Sequence, residues 1–288
     1  MTSSQRRQSI PAKLSVLEFE RFVLPHLSYG TRAPVAKLTP HAVFNYILQF
    51  LYRGRQWKQL PIEKDAQGKP EIHYTRIYSA FRRWQANGCI DAIFTGSVLT
   101  LKQTGPLDTS VLHGDGATTA AKKGGDNIGC SGHKKMKGGQ VVIVCDRNCN
   151  VIVPLVPAPG NHNESPMFRE ALPPLKAIAK AVGLCLRRAI ISLDGAYDCR
   201  INRKAIFNRG MTPHINPNPR GGKTPKRGPK PMFDPAIFKE RFNTIERVLG
   251  WEDKFKRLLQ RFERISERHY SLKTIAYTMI NLRHFCQP

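Results

Sequence analysis

The chain has 288 residues, and 46 lysines and arginines against 21 aspartates and glutamates give it a formal net charge of +25. This length suits one large domain or two ordinary ones, and the charge indicates a polyanionic partner such as nucleic acid. The longest apolar runs, such as Val151 to Val156, are far shorter than the roughly 20 residues of a membrane-spanning helix, so we expect no membrane partner.

The termini and cysteines indicate the compartment. Residues 1–11 are polar and show no secretory leader. The seven cysteines include no Cys-x-x-Cys pair and are odd in number, so we expect reduced thiols in a cytoplasm. Cys145 and Cys149 could share a zinc ion, but the neighbouring residues offer no second pair of ligands.

The first third of the chain has helical patterning. Thr39 and Pro40 form a helix start, and Val43, Phe44, Ile47, Leu48 and Leu51 then recur on one face. A second helix is predicted from about residue 75 to residue 87, with Gly88 ending it. Its inward face carries Ile77, Phe81 and Trp84, and its outer face carries Arg76, Arg82 and Arg83. A helix-turn-helix-like DNA reader and a small helical domain with a solvated cationic face both fit this pattern.

After a linker around residues 105–106 the pattern becomes strand-like. Short β-rich runs are Val111 to Asp115, Gln140 to Cys145 and Val151 to Val156, the last two forming a predicted hairpin around residues 146–150. The sequence then predicts a helix over 167–182 interrupted at Pro173 and Pro174, a strand ending at Asp194, a helix over 197–208 and a strand over 212–215.

This order predicts an α/β protein. It is the order of a ribonuclease H-like mixed-sheet catalytic domain, which we place at residues 107–288, after a small all-α, helix-turn-helix-like domain at residues 1–106. In such a fold the ends of the first and fourth strands are adjacent, so Asp115 and Asp194 should meet. Glu246, in the helical run 241–249, is the third candidate. Three carboxylates brought together form an all-oxygen site that suits Mg²⁺ or Mn²⁺.

Two segments rich in glycine, proline and positive charge are predicted to be exposed loops. They span residues 121–139 and 216–231, and their lysines and arginines include Lys134, Lys135, Arg220, Lys223, Lys226 and Arg227. Contact with a phosphate backbone and a solvated flexible loop are both open readings of these segments.

Four motifs in order carry a family resemblance. They are Gly54 to Pro61, Leu112 to Gly125, Leu193 to Asp198, and Ile245 to Arg247 with residues 255–263. Together they resemble the bacterial insertion-sequence transposases of the fifth IS family, which are of the DDE type, and the likeness runs from about residue 15 to the C-terminus. One departure concerns Arg241, which lies five positions before Glu246, whereas the family usually places an arginine four before.

The resemblance implies a function and a site. Such an enzyme cleaves transposon ends to expose 3′-hydroxyls and joins them to target DNA, with two Mg²⁺ or Mn²⁺ ions held by Asp115, Asp194 and Glu246. It also implies double-stranded DNA as partner and a homodimer on paired ends. Lys254 and Arg257, which follow Glu246 in the family's register, are expected to contact DNA.

Two other functions remain open. One is a transposase-derived DNA-binding or repressor module without catalysis, and the other is a metal-dependent nuclease that only hydrolyses DNA. Of the neighbouring polar residues, we expect Asp198 to cap the helix after the fourth strand and Asp146 to form the hairpin turn. A structural role is favoured for His162, and a place near the metals is its alternative.

Overall fold

The computed structural model describes residues 9–28, 38–218 and 232–287. The chain divides into two compact units, one comprising Met1–Ser97 and Trp251–Pro288 and the other Val98–Gly250. Residues 251–288 therefore cluster with the N-terminal helices, whereas the sequence interpretation assigned them to the catalytic domain. The predicted boundary at residue 106 stays a prediction.

The described helices are, in chain order, α1 (Val16–Phe22), α2 (Pro40–Arg53), α3 (Tyr74–Ala86), α4 (Cys89–Thr104), α5 (Glu164–Ala181), α6 (Arg200–Phe207), α7 (Pro235–Glu252) and α8 (Ser266–Leu282). The described strands are β1 (Val111–Ala120), β2 (Gly129–Ser131), β3 (Met136–Asp146), β4 (Ala158–Pro159), β5 (Ile190–Leu193) and β6 (Thr212–Ile215). The architecture is thus α/β with a mixed sheet, which is compatible with a ribonuclease H-like fold.

The first unit packs through aromatic side chains. Thr39 caps α2 through a hydrogen bond from Ala42 N, as predicted. The predicted apolar stripes of α2 and α3 are buried, and Phe44 lies between Phe19 of α1 and Trp84 of α3. Burial of these rings, rather than helix propensity, stabilises such short helices.

The second unit is built on one sheet with strand order β2-β3-β1-β5-β6, and β4 pairs with β3 outside this path. β1 pairs antiparallel with β3 but parallel with β5, and β5 is parallel to β6. Helix α5 contacts β3 and α6. Because β1 and β5 are parallel, their carboxyl ends lie at the same edge of the sheet.

Several predicted elements differ in extent. The predicted strand over 151–156 is wrong: only the bridge between Cys145 and Val151 forms, because Pro154 and Pro157 have no N–H to donate to a ladder. The loop over 121–139 contains β2, which pairs with β3. Helix α4 extends to Thr104, close to the predicted linker.

At Pro173 and Pro174 the sequence predicts a break or a kink, and the break is wrong, since α5 is continuous through both prolines. A proline cannot donate to the carbonyl four residues earlier, here those of Arg169 and Glu170. Pro173 and Glu170 are exposed, so water can satisfy these carbonyls. The buried Leu172 and Leu175 keep the rest of the turn packed.

Candidate active site

Asp115 and Asp194 lie next to each other at the carboxyl edge of β1 and β5. The parallel pairing of these strands ends at His113 and Ser192, and each aspartate is two residues further on, on the same face. Asp194 directly follows β5, as predicted, and its carboxylate accepts a hydrogen bond from Ala196 N at 2.9 Å. The predicted adjacency of the two residues is present in the structure.

Asp115 is not the end of its strand, which corrects the prediction. Antiparallel pairing of β1 with β3 continues to Ala120, whereas pairing with β5 stops at His113. Asp115 therefore lies in the part of β1 that pairs with β3 but no longer with β5. This position leaves its carboxylate partly exposed while the backbone remains held by β3.

The two carboxylates affect each other electrostatically. Burial raises the pKa of Asp194, and the negative charge of Asp115 raises it further. Such mutual repulsion between neighbouring carboxylates is relieved when a cation binds between them. The pair thus has the charge and the oxygen donors that a hard divalent cation requires.

Arg241 of α7 is the cation that the structure places on this pair. Its Nη1 donates to Asp115 Oδ2 at 2.8 Å, and its side chain is only 7% exposed. The guanidinium also lies 5.2 Å from the centre of the Phe238 ring. The arginine whose spacing departs from the family pattern is therefore the one that contacts Asp115.

Glu246 does not join the aspartates. It is exposed on α7, five residues after Arg241, which is about 140° around an α-helix at 3.6 residues per turn. Over residues 9–28, 38–218 and 232–287, no three histidine, cysteine, aspartate or glutamate side chains form a group that could hold a metal ion. The role of Glu246 stays a prediction from the resemblance.

A row of buried polar side chains, missed by the sequence analysis, lies beneath the aspartates. His113, Ser192 and His214 occupy paired positions on β1, β5 and β6, and all three are fully buried. His113 Nε2 is 3.3 Å from Glu240 Oε1, and Arg147 holds that glutamate through two hydrogen bonds of 2.6 and 2.7 Å. Burial lowers the pKa of His113, which favours its neutral form. The alternation of polar residues along β1 was the signal that could have revealed this row.

A further carboxylate and a phenol near the pair were also missed. Glu164 is the first residue of α5, and its carboxylate oxygens lie 2.6 and 2.7 Å from where a Cβ on Gly116 would stand. The side chain of Tyr197 is fully buried, and its hydroxyl has no hydrogen-bond partner among the residues that the structure describes. Burial raises the pKa of Tyr197, and the charges of Glu164, Asp115 and Asp194 add to the effect.

The candidate DNA contacts have different environments. Exposed positions are occupied by Arg76, Arg82, Arg83, Lys134, Lys135 and Lys254. Arg257 corrects the prediction: it is buried against Glu263, with Nη2 to Oε1 at 2.6 Å, so it is not available to a phosphate. Four further candidates lie outside the described residues, namely Arg220, Lys223, Lys226 and Arg227.

The two other aspartates for which the sequence analysis expected structural roles, Asp146 and Asp198, are both held by hydrogen bonds within the protein. Asp146 is buried and accepts hydrogen bonds from Asn148 N and Asn150 N, which confirms its place in the turn. Asp198 does not cap α6, because Cys199 occupies the N-cap and Asp198 pairs with Arg203 at 2.8 Å.

His162 has an exposed side chain, and its backbone carbonyl accepts a hydrogen bond from Gln140 Nε2. None of the seven cysteines, all of which the structure describes, forms a disulfide bond with another described residue.

No protein-family model and no curated protein sequence matches this chain. A solved structure, the Mos1 transposase paired-end complex with left transposon end, aligns with 88% of this chain and 80% of that chain, at 11% sequence identity and a TM-score of 0.28. Similarity at this level does not establish a shared fold. Within the described ranges, none of the helices combines the length and apolar character needed to cross a bilayer.

Proposed function

We propose that this protein is a DDE-type transposase of the fifth IS family, with a ribonuclease H-like catalytic domain. It would cleave DNA at the ends of an insertion sequence and join the exposed 3′-hydroxyls to target DNA. The observation that carries the proposal is the side-by-side placement of Asp115 and Asp194, two acidic residues at one sheet edge in a chain of net charge +25. A pure DNA-binding module has no use for paired anions where phosphate would approach.

The residues present fit divalent metal ions. Asp115 and Asp194 offer carboxylate oxygens, which are the ligands that Mg²⁺ and Mn²⁺ prefer, and the raised pKa of Asp194 reflects burial and the negative charge of Asp115. These two side chains would hold the ions, and Glu246 is the third ligand implied by the resemblance. When bound, such ions activate the attacking hydroxyl and stabilise the departing oxygen of a phosphodiester.

The protein's own side chains would position the reaction. Arg241 fixes Asp115 Oδ2 from one side, while Gly116 N donates to Asp115 Oδ1 at 2.8 Å. Both oxygens of the Asp115 carboxylate are thus oriented before a ligand binds, which lowers the free-energy cost of binding that ligand. Arg76, Arg82 and Arg83 would contact DNA phosphates, and the enzyme would act as a homodimer on paired ends.

The test is Mg²⁺-dependent cleavage of a duplex carrying the short inverted repeats that should flank the gene. Asp115→Asn and Asp194→Asn should each reduce cleavage by about 10²-fold or more, because several kcal/mol of transition-state stabilisation is lost. DNA binding should survive in both variants. Glu170→Gln, which removes an exposed carboxylate of α5, is the matched control and should remain active.

The same assay separates the competing functions. Offering both water and a target duplex as acceptors distinguishes strand transfer from simple hydrolysis. Products containing only hydrolysed ends would identify a nuclease. Full DNA binding without any Mg²⁺- or Mn²⁺-dependent cleavage in the unchanged protein would identify a binding module.

A further inference from the structure

Two consecutive residues of α7, Glu240 and Arg241, contact two positions of the same strand. Glu240 Oε1 lies 3.3 Å from Nε2 of His113, and Arg241 Nη1 donates to Oδ2 of Asp115 at 2.8 Å. His113 and Asp115 are two residues apart on β1, so their side chains lie on the same face of the sheet. Helix α7 is therefore attached to β1 at two neighbouring points, and one of them is an aspartate of the candidate active site.

Arg147 extends the first of these attachments to the end of β3. It directly follows the last residue of that strand, and its Nε and Nη2 donate to the two carboxylate oxygens of Glu240 at 2.6 and 2.7 Å. These hydrogen bonds lower the pKa of Glu240, so its carboxylate is ionised at neutral pH. Because an ionised carboxylate only accepts hydrogen bonds, Nε2 of His113 donates to it. Glu240 thus joins α7 to two strands.

Apolar contacts also hold α7, but they are less directional. Ile245 and Val248 are buried, and the burial of apolar side chains favours contact without prescribing one orientation. By contrast, a carboxylate that pairs with a guanidinium through both oxygens has a defined orientation as well as a defined distance. The pairing of Glu240 with Arg147 therefore specifies the rotation of α7 more narrowly than its apolar contacts do.

We propose that Glu240 is a positioning residue, which sets the rotation of α7 and thereby places Arg241 on Asp115. Glu240 itself would hold no metal ion, since Arg147 and His113 engage its carboxylate. Misplacement of a group in an active site by about 1 Å can lower the rate by about 10²-fold, so a small rotation of α7 would matter. The inference rests on the proposed function, which assigns Asp115 to the reaction, and Glu240 is not among the residues that the resemblance assigns to the site.

A merely structural role of Glu240 predicts a different result. The Arg147 side chain is 40% exposed and that of Glu240 is 27% exposed, and ion pairs at such positions contribute little to stability. Loss of the pair should therefore lower the melting temperature by about 4 °C or less. A loss of cleavage much larger than the loss of folded protein would separate positioning from a structural role.

The experiment measures single-turnover cleavage of the end-containing duplex at saturating DNA, well below the melting temperature. Glu240→Gln retains an oxygen that can accept from His113 but breaks the two-oxygen pairing with Arg147. It should lower the cleavage rate by about 10–100-fold, while the affinity for DNA, measured without divalent cations, stays within about twofold. Glu170→Gln, which removes an exposed carboxylate of α5, is the matched control and should keep the rate. An unchanged rate in Glu240→Gln would contradict the inference.

A double variant tests whether Glu240 acts through Arg241. If it does, Arg241→Gln already removes what Glu240 provides, so adding Glu240→Gln to Arg241→Gln should cause little further loss of rate. A further loss of about 10-fold in the double variant would show that Glu240 acts independently of Arg241, and the inference would be wrong.

Urea unfolding of the same four proteins distinguishes this inference from the proposed function. Absence of cleavage by the unchanged protein would overturn the proposed function, and the unfolding data would still decide whether Glu240 places Arg241. The shift of the unfolding midpoint in the double variant should be smaller than the sum of the two single shifts, because both side chains attach α7 to β1. Additive shifts would show that Glu240 does not place Arg241, whether or not the protein cleaves DNA.

Discussion

Arg241 and Asp115 are 126 positions apart in the chain, yet the arginine Nη1 donates to the aspartate Oδ2 at 2.8 Å. The arginine side chain is buried and the aspartate is about one-quarter exposed. Arg241 therefore supplies, from inside the protein, the positive charge that a divalent cation would supply from solvent. We therefore expect a bound divalent cation to replace much of the stabilisation that Arg241 gives to Asp115, and Arg241 to do the same when the cation is absent.

Replacement of Arg241 tests this compensation. Arg241→Gln should destabilise the divalent-free protein by about 1.5–3 kcal/mol, because a charged hydrogen bond to Asp115 is lost. With saturating Mg²⁺ the loss should be smaller, since the ion restores positive charge beside the carboxylate. Urea unfolding with Mg²⁺ and with a chelator measures the difference, and the exposed Arg247→Gln serves as control. Equal losses in the two conditions would contradict compensation.

The Asp194 carboxyl should make the stability of the folded protein decrease as pH rises. The folded-state pKa of Asp194 is raised, so the folded protein binds this proton more tightly than the unfolded chain does. Stability is therefore lost as pH rises from the ordinary aspartate pKa through the raised folded value. Asp194→Asn should abolish this loss and raise the melting temperature at neutral pH by about 2–4 °C for each kcal/mol relieved.

The melting temperature at acid pH serves as the control for Asp194→Asn. Below the ordinary aspartate pKa, Asp194 is protonated in both states, so Asp194→Asn and the unchanged protein should melt together. A stability gain that persists at acid pH would indicate altered packing instead of relieved charge. The melting temperatures should be measured in buffer without divalent cations.

The exposed arginines of α3 should contribute to the salt dependence of end binding. DNA affinity of the unchanged protein should fall by roughly 10³-fold between 50 and 200 mM salt, because phosphate contacts release counterions. Replacing Arg82 and Arg83 with alanine should reduce the salt slope by about 2, one for each contact. Fluorescence anisotropy with end-containing duplexes measures both slopes. An unchanged salt slope in this double variant would indicate that another part of the chain contacts the end DNA.

Arg257 should behave as a core residue. Its guanidinium pairs with Glu263 and lies 4.8 Å from the centre of the Phe50 ring and 4.7 Å from that of Phe262. Arg257→Ala should cost about 3–5 kcal/mol of stability, because Glu263 is left buried without its partner. Lys254→Ala, at an exposed position three residues earlier, should change stability by less than about 0.5 kcal/mol. A stable Arg257→Ala protein with weakened DNA binding would restore the original interpretation.

The sequence predicted those parts of the site that depend on strand order. Apolar runs ending near Asp115 and Asp194, in a chain with a parallel crossover between them, were sufficient to predict their adjacency. It could not predict which side of α7 faces the sheet, because Arg241 and Glu246 lie on a helix whose rotation is set by packing. The same limit applied to Arg257, which is buried partly against Phe50, a ring distant in sequence.

Glu164 and Tyr197 were missed for a related reason. The approach of Glu164 to β1 depends on Gly116, which contributes no side chain, so no pattern of polar residues marks it. Local chemistry was also misleading at Pro173 and Pro174, where exposed carbonyls tolerate the missing N–H groups. The strand β2 was hidden because it has only three residues, one of them a glycine, whose strand propensity is low.

The parallel pairing of β1 with β5 has a consequence for the order in which the aspartate pair and Arg241 are synthesised and come together. Residues 115 and 194 are 79 positions apart, so their contact closes a long loop and is slow compared with the local β1–β3 pairing. During synthesis both aspartates leave the ribosome before Arg241 does. The nascent chain thus carries two neighbouring acidic residues before Arg241, the partner of Asp115, has been synthesised.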